Sequence, residues 1–101
     1  MIDEIGFKIW CLKQKQNPKV VSDHISRLKK LEQALDYCDI DKEYHSNRCV
    51  NLLAVFYNKG INNAMNKYSN PKLPVGKYSL STYKYSLNQY IKFLDTKFKK
   101  D

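Results

Sequence analysis

Leu80-Ser-Thr-Tyr83-Lys-Tyr-Ser-Leu87-Asn-Gln-Tyr90-Ile91-Lys-Phe-Leu94-Asp-Thr-Lys-Phe98 is the stretch that decides the fold. At 100° per residue Leu80, Tyr83, Leu87, Tyr90, Ile91, Leu94 and Phe98 fall within an arc of about 100°. That is the core-facing stripe of one long helix, starting near Ser79 or Ser81. Its opposite stripe reads Ser81, Tyr85, Asn88, Lys92, Thr96 and Lys99.

Working back from this helix, Ser69 to Lys77 contains Asn70-Pro71, Pro74 and Gly76, which marks a loop. Ile61 to Tyr68 suits one short helix. A helix from about Glu43 to Asn58 would bury Val50, Leu53, Ala54 and Phe56 or Tyr57, with Lys59-Gly60 stopping it. Asp36 to Lys42 reads as a polar connection. Before it, Asn17-Pro18 starts a helix that reaches about Tyr37, because proline at the first helical position removes no needed donor. Val21, Ile25, Leu28, Leu31 or Glu32, and Leu35 form its buried stripe. Ile5 to Leu12 is a short buried helix that ends in the polar run Lys13 to Asn17. These elements predict a single all-α domain of four or five helices, with the first, second and last supplying most of the core.

Composition narrows the classes of function. One hundred and one residues with 43% hydrophobic content support one modest core, and three Gly and three Pro leave little turn material for many strands. No apolar run approaches the ~18 residues of a membrane span, and Met1-Ile2-Asp3-Glu4 does not resemble a signal peptide. Three cysteines without a CxxC pattern suggest reduced thiols and a cytoplasmic location.

Charge is unevenly placed. From Tyr44 to Leu94 there is no Asp or Glu, whereas residues 58–101 hold nine bases against two acids. Nearly all of the formal charge of +8 therefore sits on the second half. A compositional bias toward Lys and Asn would not strip acids from half a chain. A one-sided positive field attracts a polyanion through counterion release, so a nucleic acid is the expected partner.

Phe7-x-x-Trp10-x-Leu12, a polar break, then Val21-x-x-His24-x-x-x-Leu28-x-x-Leu31 resembles the SAM-like core-binding domain of tyrosine recombinases and phage integrases. His24 stands where Tyr is usual there, and Leu31 where Phe is usual. The ending Thr82-Tyr83-x-x-x-Leu87-x-x-Tyr90-Ile91-x-Phe93-Leu94 has a related cadence. It is also similar to the helical N-terminal modules of some restriction-type proteins. The resemblance implies a SAM-like helical bundle that grips duplex DNA while a separate domain, or a partner, performs the chemistry. The recombinase catalytic set has no counterpart in this chain, and Tyr85 and Tyr90 are not read as nucleophiles.

The expected contact surface is the outer stripe of the last helix. Lys77, Lys84 and Lys92 would meet phosphates as point charges, Asn88 could reach base edges or phosphate, and Tyr85 could stack or lie along the sugar backbone. Arg27, Lys29 and Lys30 form a basic cluster on the second helix, of which Arg27 and Lys30 would complete a clamp, although Asp23 and Glu32 nearby could pair with the cluster instead. Cys11 and Cys49 read as small core residues and His24 as a hydrogen-bonded core histidine. The spacing of Cys38, His45 and Cys49 fits no standard zinc site. No phosphate loop, nucleophile elbow or carboxylate pair marks an enzyme, so no catalytic residue, metal, cofactor or small-molecule substrate is expected. A competing expectation is a protein-docking patch built from Tyr57, Tyr85 and Phe93.

Overall fold

The computed structural model describes residues 1–68 and 71–98. Ser69 and Asn70 of the loop signal, and Lys99 of the outer stripe, lie outside the described residues. Among those described there are six α-helices and one 3₁₀ segment, and no strand: α1 (Glu4–Lys13), α2 (Pro18–Ala34), α3 (Ile40–Asn47), α4 (Val50–Leu53), the 3₁₀ segment (Ala54–Gly60), α5 (Asn63–Asn66) and α6 (Leu80–Lys97). The chain is all-α, as its periodicities predict.

The helix starts follow from local chemistry. Asp3 caps α1 by accepting from the Gly6 amide, Asn17 caps α2 with Pro18 at the first helical position, and Asp39 caps α3 by accepting from the Lys42 amide. Asp41 and Glu43 then fall in the first turn of α3, where carboxylates oppose the helix dipole. Helix α2 ends at Ala34 rather than near Tyr37, because Asp36 and Tyr37 both take left-handed backbone conformations (φ 57° each).

Two predicted segments differ from expectation. The single helix expected from Glu43 to Asn58 is three pieces, so the expected four or five helices become six and a 3₁₀ segment. Arg48 (φ 55°) and Cys49 (φ 63°) are both left-handed and break the helix after α3. The break rotates the following turn: Leu52 and Val55 are buried, while Val50 and Ala54 face solvent. Within Asp36 to Lys42, read as a polar connection, Ile40 is fully buried and already begins α3. Its amide donates to Glu32 Oε2 at 3.1 Å, so Glu32 is a buried acceptor for a helix start and not a partner for Lys30. Burial pushes the Glu32 carboxyl above its ordinary range, more than this bond lowers it. Lys29 instead reaches across to Glu4 on α1 at 3.0 Å.

The core forms where α1, α2 and α6 meet. Phe7 is fully buried, with its ring 5.2 Å from Tyr90 and 5.8 Å from Phe93, both edge-on. Tyr90 is buried too, and its hydroxyl accepts from the Asp3 amide and donates to Asp41, tying α6 to the starts of α1 and α3. Since α6 runs between neighbours, burial extends beyond its apolar stripe to Ser86, Gln89 and Phe93. Phe93 is therefore a core residue and cannot belong to the exposed aromatic patch proposed for it, whereas Tyr57 and Tyr85 are exposed. Phe98, counted in the apolar stripe, is exposed at the end of α6.

Candidate nucleic-acid interface

On α6, Ser81, Lys84, Tyr85, Asn88 and Lys92 share one face, within an arc of about 100° and about 17 Å of helix length. Lys84, Tyr85 and Lys92 are exposed and Asn88 is half-buried. Two shallow grooves flank this face. One, of about 280 Å³, is lined by Arg48, Leu53, Tyr85, Asn88, Gln89, Ile91 and Lys92. The other lies at the start of the helix, where Lys59, Lys77 and Lys84 surround Phe56, Tyr78, Leu80 and Ser81. Lys84, Tyr85, Asn88 and Lys92 are thus neighbours along one helix, with Lys77 just before its start, and the five are divided between two grooves. Arg27, half-buried, and Lys30, exposed, line neither groove.

The sequence reading omitted Lys59 and Tyr78 from the site. Asn58, Lys59 and Gly60 take three consecutive left-handed conformations (φ 53°, 56° and 87°), which turns the Lys59 side chain toward the start of α6. The turn is held from both sides. Asn62 Nδ2 donates to the Val55 and Tyr57 carbonyls at 3.0 and 2.6 Å, and the Gly76 amide donates to the Lys59 carbonyl at 2.7 Å. At Gly60 a Cβ would lie 2.9 Å from Leu80 Cδ2, so both the left-handed φ and the close approach require glycine there. Lys59 Nζ ends 4.0 Å from the centre of the Tyr78 ring, a cation–π contact. Gly60, within this turn, and Gly76, bonded to it, were the signal available in the sequence.

Ion pairing sorts the cations. Arg48 forks onto Asp95, its Nε 3.1 Å from Oδ1, and the Tyr44 hydroxyl donates to the same oxygen at 2.8 Å. The Arg48 guanidinium, more than the Tyr44 bond, holds the Asp95 carboxyl below the usual carboxylate range. Lys97 pairs with Asp3 at 3.0 Å. Lys59, Lys67, Lys72, Lys77, Lys84 and Lys92 make no ion pair among the described residues. Asp95, the only acid among the described residues after Tyr44, is already occupied. The charge of these six lysines is therefore offset by no ion pair among the described residues.

Beneath Tyr85 lies His24, 1% exposed, with the two rings 5.4 Å apart. His24 Nδ1 and Ser86 Oγ are 2.7 Å apart, which supports the hydrogen-bonded core histidine expected from the sequence. Its Nε2 is buried with no partner. An imidazolium must donate from both nitrogens, so this setting favours the neutral ring. Burial, more than the nearby Arg27 charge, pushes the His24 pKa down, and Asp23 only partly opposes it. The unfolded chain therefore binds a proton that the folded chain refuses. Stability is full above the ordinary histidine pKa of 6.5 and falls as the pH drops below it. Urea midpoints are expected to decline between pH 7 and pH 5, and His24→Gln should flatten that slope. An unchanged slope in the variant would mean that another group titrates.

The thiols serve the core. Cys11 and Cys49 are fully buried, and burial pushes them up to about 11 and about 12. Among the described residues no three His, Cys, Asp or Glu side chains come together in a way that could hold a metal ion. No described helix is long and apolar enough to cross a membrane. No protein family, curated protein or solved structure was found to match this chain.

Proposed function

We propose that this chain is a non-catalytic DNA-binding module whose α6 face grips the phosphate backbone of a duplex. One observation carries the reading: six lysines in the second half have no ion pair among the described residues, and Asp95, the only acid of that half among the described residues, is bound by Arg48 and Tyr44. Lys59, Lys77, Lys84 and Lys92 line or flank the α6 grooves and supply the charge, while Asn88 and Tyr85 lie between them to touch sugar, phosphate or a base edge. Arg27 and Lys30 on α2 would add phosphate contacts at the margin. Contacts of this kind position a protein on DNA with limited sequence readout. In the SAM-like core-binding domains the sequence resembles, such a module works beside a separate catalytic domain, and we extend that arrangement to this chain.

Fluorescence anisotropy of a labelled duplex across a salt series tests the reading. Four neutralised phosphates predict a log–log slope of about −3.6, which is about a 150-fold loss of affinity between 50 and 200 mM salt. Absence of duplex binding at low salt would refute it and turn attention to a protein partner.

A further inference from the structure

The groove at the start of α6 combines two recognition elements that a continuous duplex cannot use together. Lys59, Lys77 and Lys84 converge on a cavity of about 170 Å³ whose lining contains no carboxylate. Beside them Tyr78 is 82% exposed. Lys59 covers one face of that ring at 4.0 Å, which fixes the ammonium near the cavity and leaves the other face open. The amides of Leu80, Ser81 and Thr82 are already bonded to the carbonyls of Lys77, Tyr78 and Ser79, so side-chain ammonium groups, and not the helix end, supply the anion affinity.

A cluster of ammonium groups recognises phosphate, and an open aromatic face recognises a base that has left the stack. Bases inside a duplex are paired and stacked and offer no free face to Tyr78. We propose that this corner binds one unpaired nucleotide, its base against Tyr78 and its phosphate among Lys59, Lys77 and Lys84. The partner of the α6 face is then a duplex that continues into a single-stranded overhang. This inference rests on the nucleic-acid reading of the same face and adds to it the kind of DNA that is bound.

The test compares a blunt duplex with the same duplex carrying a four-nucleotide overhang, by anisotropy with the full chain. The overhang is expected to tighten binding about tenfold. Tyr78→Ala should abolish that preference and Tyr78→Phe should keep it, with helical circular dichroism unchanged in both, since the side chain is exposed. Equal affinity for the two probes would overturn the nucleotide site while leaving the duplex grip intact. An overhang preference that survives Tyr78→Ala would overturn the assignment to this corner. No binding to either probe would overturn both readings.

Discussion

Phe7→Ala is expected to destabilise the protein by about 3–5 kcal/mol, the range for truncating a buried aromatic. Phe7 is the point where three helices share one contact. Its ring meets Tyr90 and Phe93 of α6, stacks on Trp10 of its own helix at 6.2 Å, and lies 6.4 Å from the His24 ring of α2. Two of these neighbours are restrained from moving into the space: Tyr90 is held by bonds to Asp3 and Asp41, and His24 by Ser86. The cavity would remain open, which places the loss toward the upper end of the range. For a domain of ordinary stability, 5–15 kcal/mol, this removes roughly a quarter or more of the total. A urea titration should show a much lower midpoint at an unchanged slope. A midpoint within the error of the parent would mean that α1 contributes little to the folded state.

Where the sequence was legible, and where it was not, follows from how far each signal reaches along the chain. Helices α2 and α6 carry their apolar spacing within themselves, and their stripes could be read directly, whereas α1, read as buried from Ile5 to Leu12, buries only Phe7 and Cys11 and leaves Ile5, Ile9 and Leu12 exposed. The break at Arg48 and Cys49 carries no local mark, since neither residue favours a left-handed backbone. It is stabilised from a distance, by the Arg48 fork on Asp95 and by the burial of Cys49, whose thiol lies 3.7 Å from the Ile40 carbonyl. Ile40 stands alone among polar residues, and one apolar residue has no period. Phe93 lies off the main stripe of α6, and only the packing of other helices around α6 buries it. The site divides in the same way. Tyr85, Asn88 and Lys92 follow one helical face and could be read together, with Lys84 beside them. Lys59 and Tyr78 are nineteen positions apart and meet only because the Gly60 turn is bonded to Gly76.

The variant carrying Lys59→Ala, Lys77→Ala, Lys84→Ala and Lys92→Ala is expected to lose most duplex affinity and nearly all of its salt dependence. All four side chains are exposed, so each change should alter stability by no more than about 0.5 kcal/mol, or about 1 kcal/mol at Lys59, which also loses its contact with Tyr78. Removing four charges takes the formal net charge from +8 to +4, which lowers the long-range field as well as the local contacts. The two effects separate with a second variant, Lys8→Ala, Lys13→Ala, Lys15→Ala and Lys19→Ala, which reaches the same net charge from exposed positions on α1, its connection and α2. If binding is local to α6, the first variant flattens the slope from about −3.6 toward zero and the second keeps it. The second should then differ only in association rate, because a weaker net field steers encounter less while the contacts that hold the duplex persist. Equal loss in both variants would mean that net charge alone drives association, and the α6 face would then have no claim to be a binding site.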